Sequence, residues 1–193
     1  MLNKPRGLVT TTSDEKGRQT VYSLLGSELP WLAPVGRLDK ASEGLLLLTN
    51  DSGWSARVLA PETHLEELYH VQVEGVADAA LLASMVSGVR DEAGDFLCVK
   101  QAKFLRGGRR NSWIELTLEE GKNRQIRRLL DCLGISVLRL VRVAIGPLAL
   151  GQLAKGEWRY LAASEKLLLD EAMNGLPDHV KQVAKGKTTR SRP

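Results

Sequence analysis

The sequence predicts an α+β domain built on a mixed, largely antiparallel sheet. Three observations carry that reading. Segments of alternating apolar and polar residues recur at 68–74, 98–105 and 113–118, which is the period of half-buried strands. Helical patterns are interspersed without strict strand–helix alternation, most clearly at 124–133. A hydrophobic content of 43%, spread over 193 residues, suffices for the core of one domain, or of one domain with two lobes.

Taken in order, a very short apolar start leads into a stretch of turn formers up to Gly17, in which the hydroxyl-rich run 10–13 reads as loop. Residues 20–25 open a short helix. A polar loop from Gly36 to Gly44 precedes Leu45-Leu46-Leu47-Leu48-Thr49, an apolar run of buried-strand length. Residues 52–59 form a helix that stops near Pro61. The strand at 68–74 is followed by a helix at 78–86. The strands at 98–105 and 113–118 are joined by a strongly basic loop, Arg106 to Asn111. Asn123 is placed to cap a helix over 124–133, and Gly134 to stop it. On that helix Ile126, Leu129, Leu130 and Leu133 share one face, while Arg124, Arg127 and Arg128 share another. Strands at 137–145 and 158–161 and a helix at 164–173 complete the domain, residues 1–174. Residues 175–193 read as a basic, disordered tail.

The charge is localised. Six basic residues stand against one acidic residue between Gly121 and Arg142, and five against one after Gly175, so the remainder is acidic on balance. A positive field confined in this way suits a polyanionic partner. No apolar run approaches the ~20 residues that cross a membrane, and no secretory signal is visible, so the chain reads as cytosolic. Cys98 and Cys132 form no CxxC pair and read as reduced, packed thiols. The His and Cys spacing fits no metal site, and Walker, GxGxxG and GxSxG patterns are absent, so no cofactor is expected.

Three features carry possible chemistry, each beside a plainer reading. Asp39 lies in a Gly-bounded loop ahead of a buried strand, a position suited to a site residue, although a lone loop Asp is more often an Asx-turn residue. Arg124, Arg127 and Arg128 place cations at a helix start, against its dipole, which invites an external anion or a carboxylate; a solvated basic face is the alternative. Tyr69 shares a strand face with Val71 and Val73, so it is either a core tyrosine or a stacking surface for a displaced base.

Together these segments resemble the RsuA/RluB/RluE/RluF family of pseudouridine synthases. The resemblance rests on Lys4-Pro5-Arg6-Gly7, on the sixteen residues from Gly36 to Asp51, on Glu120 to Arg128, on Arg139 to Leu148, and on Gly156-Glu157-Trp158-Arg159. It implies a sheet split across two lobes with an RNA cleft between them. It also implies roles: Asp39 as catalytic carboxylate, Arg37 to hold or replace a flipped nucleotide, Tyr69 to stack on the target base, and Arg127 to pair with Asp39. Glu67 departs from the pattern, since a Lys is usual two residues before the stacking Tyr, and it is left out of the expected site. The resemblance begins at residue 2, without the small N-terminal S4 domain of many members. That points to an E-type member, a monomer acting on 23S ribosomal RNA. Substrate and product of the implied reaction are isomers, so no redox partner or energy donor is required. A non-catalytic RNA-binding protein gains nothing from a carboxylate facing phosphates, whereas a glycosylase would release free uracil.

Overall fold

The computed structural model describes residues 1–119 and 121–174; the tail at 175–193 lies outside the described residues. In chain order the strands are β1 (Leu2–Lys4), β2 (Ala33–Val35), β3 (Glu43–Thr49), β4 (Glu67–Glu74), β5 (Val89–Arg90), β6 (Phe96–Leu97), β7 (Gln101–Gly107), β8 (Asn111–Leu118), β9 (Val137–Ile145) and β10 (Leu148–Ala149). The α-helices are α1 (Ser52–Leu59), α2 (Ala79–Ser87), α3 (Gln125–Cys132) and α4 (Ala163–Met173), and short 3-10 turns lie at Val21–Leu24 and Pro61–Thr63.

Eight of the strands form one sheet in the order β1-β3-β9-β4-β8-β7, with β2 on β3 and β10 on β9; β5 and β6 make a separate hairpin. Every pair is antiparallel except β3 with β9. The expected mixed, largely antiparallel α+β architecture is what the chain adopts. Successive strand residues face opposite ways, and β3 therefore feeds two cores. Leu46 belongs to one, with Val71, Val73, Ile114 and Leu116 beneath α2 and α3. Leu45 and Leu47 belong to the other, with Trp54, Val58, Leu169 and Met173 of α1 and α4. The sheet itself is continuous, and each face carries its own pair of helices.

One register matters most for function. Lys4 pairs with Gly44, Gly44 with Arg142, Arg142 with Tyr69, and Tyr69 with Leu116. Residues far apart in sequence thus form a single row across β1, β3, β9, β4 and β8. Gly44 is obligatory there. Its φ is +104°, and an added Cβ would lie 2.2 Å from the Arg142 carbonyl oxygen.

Several sequence expectations need correction. Asn123 does not cap α3. The cap position falls on Arg124, in a left-handed conformation with φ 50°, and no side chain caps the helix. Gln125 anchors this turn instead: its Oε1 accepts from the Lys122 backbone N–H at 3.0 Å and its Nε2 donates to the Cys98 carbonyl at 2.7 Å. That bond, and one from Val99 N–H to the Met85 carbonyl, draw residues 98–100 toward α2 and α3, so β7 begins at Gln101 rather than Cys98. Arg106 and Gly107 belong to β7, so the basic connection to β8 is shorter than expected. Residues 158–161 are not a strand. Trp158 makes one isolated bridge to Leu2, and the chain turns away toward α4. The three arginines of α3 also part company: Arg128 turns to Asp91 and Asp95, while Arg124 and Arg127 turn to the Asp39 loop. Their neutralising anions lie within the chain.

Candidate active site

The turn Asp39–Ser42 enters β3 at the parallel β3–β9 junction and is fixed from below. The Ser42 N–H donates to the Asp39 carbonyl, and Gly7 N–H donates to the Lys40 carbonyl. Lys4 is fully buried, and its Nζ donates to the carbonyls of Pro5 (3.1 Å), Asp39 (3.0 Å) and Ser42 (2.9 Å). Burial lowers the Lys4 pKa to about 8, partly opposed by the nearby Asp39 and Glu43 carboxylates. On the preceding residue, the Thr10 hydroxyl donates to the Leu38 carbonyl at 2.8 Å. The loop carrying Asp39 is therefore held by an ammonium and a hydroxyl from the first ten residues.

The Asp39 side chain itself faces a cleft of about 1160 Å³, and is 31% exposed. Arg124 Nη1 donates to its Oδ2 at 3.1 Å. Arg127 Nε stands 4.0 Å from the same oxygen, and its Nη2 donates to the Ala41 carbonyl at 3.0 Å. Burial lowers the Arg127 pKa, as do the neighbouring Arg124 and Arg6 cations, with Asp39 acting against them. The Nε of Arg127 is buried without a hydrogen-bond partner among the described residues. A carboxylate displaced slightly toward it would supply one.

Tyr69 forms part of the cleft wall and is 7% exposed. Its hydroxyl donates to Glu67 Oε2 at 2.7 Å, and Glu67 Oε1 accepts from Arg142 Nη1 at 2.5 Å. Arg142 is buried and also donates through Nε to the Leu45 carbonyl at 2.9 Å. Burial alone would lower the Arg142 pKa; the Glu67 carboxylate reverses this and holds it above the ordinary value. Burial also pushes the Tyr69 phenol above its usual range. The phenol thus stays a neutral donor with its ring fixed in one plane. Among the described residues, no three His, Cys, Asp or Glu side chains gather to hold a metal.

The site thus sets a carboxylate beside two guanidiniums in a cleft that Tyr69 also lines. The profile of the RNA pseudouridylate synthases matches residues 1–131. This chain belongs to that family. An uncharacterised RNA pseudouridine synthase of Rickettsia typhi is 38% identical over 178 residues, covering 92% of this chain and 71% of the relative. The ribosomal large subunit pseudouridine synthase B of Haemophilus influenzae is also 38% identical; it aligns with 100% of this chain, which spans 54% of its length. A crystal structure of a pseudouridylate synthase superposes with a TM-score of 0.76 at 33% identity, over 87% of this chain and 71% of that one. At 18% identity and a TM-score of 0.55, a chain of the archaeal box H/ACA sRNP Nop10-Cbf5 complex shares the fold.

Within the family fold, the four residues singled out from sequence have different positions. Asp39, Tyr69 and the exposed Arg37 all form part of the cleft wall. Arg127 reaches the Asp39 turn, but the direct hydrogen bond to the carboxylate comes from Arg124, which the sequence marks only as part of a cationic face. Lys4, Thr10, Arg142 and Glu67 hold the Asp39 loop and the Tyr69 wall, and the sequence did not single them out for that. Lys4 and Arg142 lie in the motifs that carry the resemblance, which was the available signal. Glu67 departs from the family pattern, yet it is the residue that joins Tyr69 to Arg142. The E-type subtype is not confirmed: the Haemophilus influenzae and Escherichia coli K12 relatives are named ribosomal large subunit pseudouridine synthase B.

Proposed function

We propose that this chain isomerises uridine to pseudouridine in ribosomal RNA, with large-subunit RNA as its substrate and Asp39 as its catalytic carboxylate. The observation that carries the reading is the Asp39 carboxylate, fixed at the cleft wall by Arg124 and flanked by Arg127. The type B relatives act, by name, on the ribosomal large subunit.

The target nucleotide must leave its stack to reach Asp39, which costs roughly a few kcal/mol. Arg37 is exposed at the cleft and holds no carboxylate among the described residues, so it is free to occupy the vacated position or grip a phosphate. Tyr69 offers one ring face to the extruded base. The Asp39 carboxylate attacks C1′ or stabilises its oxocarbenium-like state while the C1′–N1 bond breaks. The uracil turns against Tyr69, C5 joins C1′, the C5 proton leaves and N1 gains a proton, so atoms balance without a co-reactant. Tyr69, Leu118 and Ile126 give the cleft an apolar wall on which the turning uracil can rest, and water kept from the sugar there cannot leave an abasic site.

The test is Asp39→Asn in purified protein, assayed by tritium release from C5-labelled uridine in ribosomal RNA and by nucleoside chromatography. Pseudouridine formation should vanish while RNA affinity and thermal stability persist. The Asp39 pair is solvent-screened and worth only about 0–1 kcal/mol. Full activity in this variant overturns the assignment, and free uracil from the unsubstituted protein would make the chain a glycosylase.

A further inference from the structure

The sheet face opposite Tyr69 carries a second cluster that the reaction does not use. Register places Arg106 against Trp113, Trp113 against Gln72, and Gln72 against Arg139, a row across β7, β8, β4 and β9. The Arg106 guanidinium lies over the Trp113 ring, 5.1 Å from its centroid, and Arg139 lies over it at 5.4 Å. Helices α2 and α3 pack on the other face with Ile114 and Leu116, and α1 and α4 pack on this face at the β3 end, against Leu45 and Leu47. The connection at the end of the row adds Arg109 and Arg110, both exposed.

Arg106, Arg109 and Arg110 share with Arg6, Arg37 and Arg90 the lack of a carboxylate partner among the described residues, but they alone cluster within five positions. Arg18, Arg57, Arg128, Arg142 and Arg159 each hold a carboxylate, and so does Arg139, through Glu43. Lys103, one row along, is paired with Glu115. Arg106, Arg109 and Arg110 have no ion pair or side-chain hydrogen bond among the described residues. Three guanidiniums within five residues, with no carboxylate among them, repel one another unless an outside anion joins them. One of them lies over an indole ring. A guanidinium stacked on an aromatic ring presents a planar cationic surface that takes an unpaired base, while free edge donors take phosphates.

We propose that this face, formed by Trp113, Arg106 and the Arg109-Arg110 turn, is a second RNA-binding site that takes a single-stranded segment flanking the target. It rests on the pseudouridine reading only for the identity of the RNA, not for its chemistry. Single-stranded RNA is favoured over duplex because the indole–guanidinium stack is a surface for exposed base faces, which a duplex hides. The face lies on the opposite side of β4 from Tyr69, so RNA held here lies outside the cleft that Asp39 lines. Binding here anchors the RNA without touching the reacting uridine.

The experiment uses the full chain and a fluorescein-labelled thirty-residue oligouridylate, with a twenty-base-pair RNA duplex as comparison, read by anisotropy over a salt series. Arg106→Ala/Arg109→Ala/Arg110→Ala should weaken oligouridylate binding at least tenfold. It should also reduce the salt slope by about two, at ~0.7 for each single-strand phosphate no longer neutralised. Trp113→Leu should weaken the same binding several-fold with the salt slope unchanged, which a general loss of charge does not do. In pseudouridine assays on ribosomal RNA both variants should raise KM and leave kcat within twofold. Unchanged oligouridylate affinity in both variants overturns the proposal, and so does a loss confined to the duplex. If the unsubstituted protein makes no pseudouridine but the variants still bind oligouridylate more weakly, the reaction assignment fails and this site stands.

Discussion

Lys4 offers the sharpest test of how the site is held. Replacing it with Met keeps the volume and removes the ammonium that serves the carbonyls of Pro5, Asp39 and Ser42. Two effects oppose each other. Hydrogen bonds from a charged donor contribute roughly 1.5–3 kcal/mol each, and buried carbonyls left without a donor cost about 1–3 kcal/mol each. Against this, keeping the buried ammonium charged is itself unfavourable. Its pKa falls from 10.5 to about 8, and at about 1.4 kcal/mol per pH unit that is roughly 3 kcal/mol recovered by Met. The Pro5 and Ser42 carbonyls lose this donor, whereas the Asp39 carbonyl keeps the Ser42 N–H; set against one relieved charge, Lys4→Met should lose about 1–3 kcal/mol at pH 7. For a domain of this size that is a fall in Tm of roughly 2–10 °C. The pH dependence isolates the cause. The folded-state pKa lies below the unfolded one, so between about pH 8 and 10.5 the unfolded chain binds more protons at Lys4. Stability of the unsubstituted protein should therefore rise with pH across that window relative to the Met variant, and be flat below it. Urea melts from pH 7 to 10.5 give the difference curve, and pseudouridine assays should show kcat falling more than KM as the Asp39 turn loosens. A flat difference curve, or full stability and activity in the Met variant, would refute the reasoning.

Two further substitutions separate roles within the cleft. Arg124→Ala removes a solvent-screened pair and should change Tm by no more than about 2 °C, whereas Arg127→Ala leaves the Ala41 carbonyl unserved beside Asp39 and should lower kcat at least about tenfold further; stopped-time pseudouridine assays with parallel melts compare them, and equal kcat losses would remove the distinction. Glu67→Gln leaves the buried Arg142 without its carboxylate, which should cost about 2–4 kcal/mol in denaturant melts. It should also lower kcat as the Tyr69 ring loses its anchor; if stability is unchanged, the Glu67–Arg142 pair is not what holds this wall.

Much of the domain was determined by local pattern, because strand and helix periods are properties of neighbouring residues. The Leu45–Thr49 run, the alternation after Leu68 and the amphipathic face of α3 each needed only a few residues to declare themselves, and the boundaries of α1 and β9 fall where the spacing put them. Asp39 was legible too, through the company of its motif. Local pattern failed where a distant partner decided the outcome. The cap of α3 shifted because Gln125 bonds to Cys98, twenty-seven positions away, and the same bond delays the start of β7. Only the tertiary structure made the row from Lys4 through Gly44 and Arg142 to Tyr69, since strand register across non-sequential strands is settled by packing on both sheet faces. It also divided the arginines. Sequence marked 121–142 as a positive segment and Arg106 to Asn111 as a basic loop, but each guanidinium takes whichever carboxylate the fold brings within reach. That left Arg124 and Arg127 at Asp39, gave Arg142 to Glu67, and gave Arg106, Arg109 and Arg110 none among the described residues.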